Sequence, residues 1–313
     1  MELFFQNMTT AATQVFILYI MVAIGFISDK LHVFTEKTAR ASNDLLFYVI
    51  TPCVVVNSFL STSFSKESAS SFAISVIISL LAHGVGILLA APLFNKNKED
   101  GSRTIYKYAC IYGNLGYMAL PLAKAVLGEA GVFFCSGGLV VFNTLCFTHG
   151  IRLINKGNKD IKFSIKSLIL NPGVISVLIG LPLFIFSVEL PPILSQPITF
   201  ISNMNTPFAM LIFGTYLANT DLKTMFKVKE QYLIMAVRLI AVPLIIILIT
   251  KGLRLAPALA TACMISASAP SANNTVMFAA KYGKDTAIAS KIVALNSFVS
   301  IITMPIMIAL AQI

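Results

Sequence analysis

Runs of about 20 apolar residues alternate along the chain with short polar connections, the signature of a polytopic membrane protein. The runs centre near residues 19, 51, 82, 115, 142, 179, 208, 239, 269 and 299, which predicts ten membrane-spanning helices. No connection is long enough to house a soluble domain. The start of the chain lacks a positively charged n-region and a small-residue cleavage site, so residues 9–28 are expected to stay as a first span. One run breaks the apolar pattern. Met264 to Ala280, MISASAPSANNTVMFAA, carries Ser266, Ser268, Pro270, Ser271, Asn273, Asn274 and Thr275 where a span should be. Lipid offers no hydrogen-bond partners, so such a segment persists only against protein or a water-filled cavity.

The fourth run has the same character. It reads YKYACIYGNLGYMALPLAKAVLG, and Gly113, Asn114 and Gly116 followed by Pro121 are expected to interrupt its hydrogen-bond ladder. Two interrupted helices bring half-helix ends towards the middle of the bilayer. Half-helix N-termini carry unpaired N–H groups and positive partial charge, which suits a carboxylate or another anion. The amides of Asn114, Asn273 and Asn274 add donors without burying a charge. A single proline kink would read as structural, because prolines are common in membrane spans. Two interruptions in matched positions, both with asparagines, favour a binding site.

Shifting the chain by 155 residues places Thr51-Pro52 on Thr206-Pro207, Gly25 on Gly180 and Gly128 on Gly283, and lays the fourth run over the ninth. The identities are few, but they coincide with two sets of five spans. Five is odd, so the second set must enter the membrane in the opposite sense, which makes an inverted repeat. The expected units are residues 1–155 and 156–313, divided within the basic connection from Arg152 to Lys166.

Composition agrees: the 313 residues are 57% hydrophobic and 12% charged, with a mean hydropathy of +0.84. The net charge of +10 would suggest nucleic acid were it not so unevenly placed. With the N-terminus outside, the connections expected inside hold 17 of the 23 basic residues, from Lys30, Lys37 and Arg40 at one end of the chain to Lys281 and Lys284 at the other. The outer connections and the termini hold only Lys66, Lys251 and Arg254, with Lys124 near an outer helix end. This is the positive-inside pattern, and it places both termini outside the cell membrane. The basic surplus is topological, and nucleic-acid binding drops out.

Three ionisable side chains fall within spans. Arg238 lies mid-span, Lys291 lies in the last span, and the repeat offset pairs Arg238 with His83. A basic group at membrane depth is a functional candidate, as an anion ligand or a coupling group, unless its stem snorkels to the interface. His83 is the candidate for proton coupling, against the plainer reading of a hydrogen-bonded packing residue. Sodium held by backbone carbonyls at the interrupted helices is the other coupling considered. The cysteines Cys53, Cys110, Cys135, Cys146 and Cys263 have no paired spacing and read as packing residues, so neither a metal site nor a cofactor is expected. No P-loop is present, which argues against an ATP-driven pump. Asn, Ser and Pro are poor acid–base groups, which argues against an enzyme.

GNLGYMALPLAKAVLG resembles the fourth span of the auxin efflux carrier family. SAPSANNTVMFAAKYGKD, followed by a span with Asn296, Ser297, Ser300 and Pro305, resembles that family's C-terminal signature, and FYVITPCVVVNSF is similar to its early proline motif. The resemblance covers the whole chain. It implies an all-α membrane protein of ten helices in two inverted five-helix repeats. Spans 1, 2, 6 and 7 would form a scaffold, and spans 3–5 and 8–10 a moving transport domain in which the broken fourth and ninth helices cross. It also implies a homodimer and a secondary carrier for small organic anions, such as dicarboxylates or indole-3-acetate. A long cytoplasmic loop of the plant members is absent, which points to a bacterial style of member. The expected substrate-binding residues are Asn114, Gly116, Pro121, Pro270, Asn273, Asn274 and Arg238, with His83 and Lys291 as coupling candidates. The alternatives are a sodium-coupled organic-anion symporter of the bile-acid type, a channel and a membrane-embedded enzyme.

Overall fold

The computed structural model describes residues 2–94, 102–155, 170–221 and 223–312, with side chains from residue 8 onward. Its regular elements are helices: α1 (Glu2–Lys30), α2 (Glu36–Leu60), α3 (Lys66–Leu93), α4 (Ser102–Ile111), α5 (Leu115–Ile154), α6 (Pro172–Ile185), α7 (Pro192–Asn203), α8 (Asn205–Ala218), α9 (Glu230–Gly252), α10 (Pro257–Ser268), α11 (Asn274–Lys281) and α12 (Thr286–Ala311). Among the described residues, six stretches are long and apolar enough to cross a membrane: Met8–Lys30 of α1, and α2, α3, α5, α9 and α12. Helices α6 and α10 are apolar but shorter. The division expected between residues 155 and 156 adjoins residues 156–169, which lie outside the described residues, as do Lys96 and Lys98.

Local signals in the sequence account for several helix starts. Ser65 and Ser68 form a reciprocal cap at the start of α3. Asn171 Oδ1 accepts the Gly173 and Val174 N–H groups at the start of α6, and Asp285 Oδ1 accepts Ile288 N–H at the start of α12. Among the described residues, four π-helical turns occur at Leu46–Ile50, Leu115–Ala119, Cys146–Gly150 and Ala236–Ala241. Three of them end two residues before a proline, namely Pro52, Pro121 and Pro243. A proline cannot donate to the carbonyl four residues back, and its ring crowds that carbonyl. The preceding turn widens to i→i+5 bonding and the helix continues. That is why Pro121 does not itself interrupt its helix.

Several backbone landmarks are spaced at the interval read from the sequence. Helix α1 ends at Lys30 and α6 at Ile185; α4 begins at Ser102 and α10 at Pro257. Gly128 (φ 65°) and Gly283 (φ 63°) both take left-handed conformations, as do His32 (φ 60°) and Ser187 (φ 49°). Each of these pairs is 155 residues apart. Gly128 turns the chain inside α5, so the runs expected as the fourth and fifth spans meet there without a connecting loop.

Helix α1 lies against α8 at backbone distance: a methyl group added at Gly214 would fall 2.1 Å from the Val22 carbonyl oxygen. Small residues of this kind let membrane helices approach closely where lipid supplies no hydrophobic drive between them. Phe59 of α2 stacks with Phe72, Phe133 and Phe184, joining α2 to α3, α5 and α6. Helix α5 packs on α3 and α10, and α12 packs on α10, α11 and α1. The hydrocarbon-facing side is as apolar as the core, with Phe16, Ile20, Leu88, Ile193 and Ile302 all exposed.

Candidate functional site

The two polar interruptions meet. Tyr112–Asn114 separates α4 from α5, and Ala269–Asn273 separates α10 from α11. Gly113 and Ser271 form an antiparallel bridge, in which Asn114 N–H donates to the Pro270 carbonyl (2.7 Å) and Ala272 N–H to the Tyr112 carbonyl (2.9 Å). The Ser271 hydroxyl adds a bond to the Ala109 carbonyl at 2.8 Å. Asn114 (φ −81°, ψ 67°) is the centre of an inverse γ-turn closed by Leu115 N–H on the Gly113 carbonyl at 2.9 Å. In the first interruption the break therefore falls at Gly113-Asn114; in the second it falls at Pro270 itself.

A cavity of about 670 Å³ reaches the crossing from one side. Asn273 and Asn274, at the N-terminus of α11, line it together with Tyr117. So do Phe213 and Tyr216 of α8, while Arg40 and Asp44 of α2, Asp221, and Lys291 of α12 supply its charges. Arg40 pairs with Glu36 at 2.5 Å, also on the lining. Lys291 forms no ion pair among the described residues. Asp221, at an exposed turn, is held below the usual carboxylate range, chiefly by the Thr224 hydroxyl (2.5 Å), with a smaller contribution from Lys291. The Asn274 amide is oriented by a bond to Cys146 Sγ at 3.4 Å. No hydrogen bond among the described residues uses the backbone N–H of Asn273 or Asn274. The cavity floor thus presents free N–H groups at the positive end of a helix.

Of the residues expected at the site, Asn273, Asn274 and Lys291 line this cavity. Asn114, Pro121, Pro270, Arg238 and His83 are buried and do not line it, and Gly116, half-buried, has open space where a side chain would be. Asn114 is 3% exposed; its Oδ1 accepts Tyr117 N–H at 3.4 Å, while its Nδ2 has no partner. Tyr117, Tyr216 and Asp221 are lining residues that the sequence did not single out. Tyr117 lies in the π-helical turn after the first interruption, Tyr216 on α8 and Asp221 in a turn, and only packing around the crossing brings them together.

Near the crossing lies a second, much smaller chamber of about 20 Å³, room for one water molecule. Arg238, His83, Ser75, Ser79 and Ser266 line it. The guanidinium donates to three backbone carbonyls: Ala269 (Nε, 2.8 Å), Ser266 (Nη2, 3.4 Å) and Ile111 (Nη1, 3.5 Å). His83 bonds the Ser79 carbonyl through Nδ1 at 2.8 Å, and its Nε2 has no partner. The two residues that the repeat offset pairs thus face the same small space.

The end of the molecule remote from the large cavity is tied across. Lys124 of α5 donates to Asn203 Oδ1 of α7 at 2.9 Å and pairs with Glu129 at 3.0 Å.

Comparison with known proteins gives the family. Residues 10–308 match the model of a family described as membrane transport protein. The chain is 24% identical over 296 residues to an uncharacterised transporter of Methanocaldococcus jannaschii, covering 91% of this chain and 92% of that one. It is 20% identical over 293 residues to a Rhizobium meliloti (strain 1021) protein named "Putative malonate transporter", covering 90% of each. A match over nearly the whole chain, on a helical membrane architecture, shows that this protein belongs to the membrane transport protein family, the auxin efflux carrier group that its motifs resemble.

Proposed function

We propose that this transporter is a secondary carrier for small organic anions, working by alternating access. The observation that carries the reading is the floor of the large cavity, where the N-terminus of α11 offers unused backbone N–H groups beside the Asn273 and Asn274 amides. A carboxylate placed there would accept charge-assisted hydrogen bonds and meet the positive end of the helix. Asn114, buried and off the lining of this cavity, holds an unpartnered amide donor at the crossing, beside the lining residue Tyr117. Lys291, without an ion-pair partner among the described residues, supplies positive charge on the same cavity. The relative named for malonate transport is consistent with a small dicarboxylate as cargo.

The architecture proposed with this function is ten spans in two inverted five-helix repeats, residues 1–155 and 156–313. The 155-residue correspondence of helix ends and left-handed residues supports it. So does the packing of α1 on α8 and of α2 on α6 and α7, with α5 packed on α3 and α10 and α12 on α10, the two groups meeting where α1 lies on α12 and α2 on α5. The large cavity opens among Arg40, Asp221 and Thr286, next to the connections whose basic residues place them inside. The state described is then inward-facing, with the Lys124–Asn203 contact closing the outer end.

Purified protein reconstituted in liposomes, tested for uptake of radiolabelled malonate, malate and indole-3-acetate under imposed proton or sodium gradients, decides the matter. Saturable uptake of one acid supports the carrier, and the gradient that drives it names the coupling. Flux that does not saturate would favour a channel and overturn the proposal.

A further inference from the structure

The carbonyls behind the crossing form a set with one thing in common. Each sits in or just beyond the last turn of a helix that stops at the crossing, where its ordinary partner is missing. Ser266 would pair with the N–H four residues on, but that residue is Pro270, which has none. Ile111 would pair with Leu115 N–H, which turns back to the Gly113 carbonyl instead. Ala269 lies beyond the end of α10. Arg238 donates to all three. The C-terminal ends of α4 and α10 each carry roughly half a negative charge, so together they match the single positive charge of one guanidinium.

We infer that Arg238 is a positioning residue. It pins the ends of α4 and α10 from behind, and so holds the crossed segments and the α11 N-terminus in place without touching the cargo. Several features show the site is built for it. Arg238 is 2% exposed, lines the small chamber and does not line the large cavity. The π-helical turn Ala236–Ala241 carries it, and a planar fork of five donors reaches three diverging carbonyls where a lysine would bring one point charge. Gly113 leaves the room: a methyl group there would lie 1.8 Å from Nη2 and 2.6 Å from Cζ. No carboxylate pairs with the guanidinium among the described residues, so the backbone carbonyls are its counter-charge. A sodium ion seeking these carbonyls would find them occupied. The inference rests on the crossing being the cargo site.

The test uses Arg238→Ala and Arg238→Lys in purified protein, with thermal unfolding and liposome uptake measured with and without low-millimolar guanidinium chloride, against equal sodium chloride. Arg238→Ala is expected to unfold at lower temperature and to lose about tenfold or more of its uptake, since buried carbonyls are left without donors. Free guanidinium should restore part of both and sodium neither, with Arg238→Lys intermediate. If Arg238→Ala cannot be purified folded, Gly113→Ala displaces the guanidinium while keeping the arginine, and is expected to lower uptake and unfolding temperature alike. Wild-type behaviour of Gly113→Ala overturns the inference. So does an Arg238→Ala protein that unfolds normally, ignores guanidinium and only needs more acid for half-maximal uptake, because the arginine would then contact cargo. The unfolding response to guanidinium needs no cargo. If it is present while the wild-type protein takes up none of the acids, the cargo proposal fails and the pin stands.

Discussion

Asn114→Ala separates what the crossing does for stability from what it does for transport. The backbone bond from residue 114 to the Pro270 carbonyl survives the change, and alanine can adopt the inverse γ-turn because its φ is negative. The side chain loses one long bond, Oδ1 to Tyr117 N–H at 3.4 Å, at the weak end of helix-cap contributions, about 0.5 kcal/mol. Against that, Nδ2 is a buried donor with no partner, and removing such a group relieves about 1–3 kcal/mol of desolvation. Loss of packing around a small buried side chain offsets part of this. The net expectation lies between neutral and about 1 kcal/mol more stable, so the unfolding midpoint should rise by about 3 °C or less. On the proposed function the crossing receives the carboxylate during the transport cycle, and loss of a donor to a charged ligand, worth about 1.5–3 kcal/mol, should lower uptake about tenfold or more. Detergent-purified protein followed by intrinsic tyrosine or thiol-dye fluorescence gives the first number, and reconstituted uptake gives the second. A midpoint lowered by more than about 3 °C would show that Asn114 is structural. Unchanged uptake would remove it from the site.

Other changes should separate in the same way. Asn273→Ala, at the cavity floor, should lower uptake about tenfold with the unfolding temperature little changed, and equal uptake by both proteins would argue against the floor as the anion site. Lys291→Gln should raise the acid concentration for half-maximal uptake without lowering the maximal rate in proportion, and the difference should shrink at high salt; a salt-independent loss would point to a packing role. Gly214→Ala forces α1 and α8 apart and should cost about 1–3 kcal/mol, seen as a lower unfolding midpoint with unchanged half-saturation in the protein that remains folded. Lys124→Met removes a half-exposed pair worth under about 1 kcal/mol, so its unfolding should be near wild type. Its effect should appear as greater labelling of cysteines placed along α7 from the outer side.

Much of the frame was legible because membranes restrict what a sequence can do. Apolar runs follow from the bilayer, and the 155-residue interval read from the sequence recurs in the spacing of Lys30 and Ile185 at helix ends and of the left-handed Gly128 and Gly283. The meeting of the two polar interruptions was legible for the same reason, since neither can sit in lipid. The side-chain geometry was not. Pro121 reads as a helix breaker, yet the π-helical turn before it absorbs the missing N–H, and the break falls at Gly113-Asn114. Arg238 reads as a charge awaiting an anion, yet each of its three nitrogens donates to a backbone carbonyl. Composition records that a charge is buried but not which side of the crossing it approaches from. Tyr117, Tyr216 and Asp221 carry no local signal, because only packing makes them neighbours.

The bridge at the crossing is reciprocal. The Tyr112 carbonyl is satisfied by Ala272 N–H and the Pro270 carbonyl by Asn114 N–H, so each interruption is completed by groups belonging to the other. Neither is viable by itself in a bilayer, since each would bury orphaned polar backbone. Loss of helix at either break is tolerable only once the other segment already faces it, so the packing that brings the two together is a precondition of both breaks and cannot be a late refinement of either.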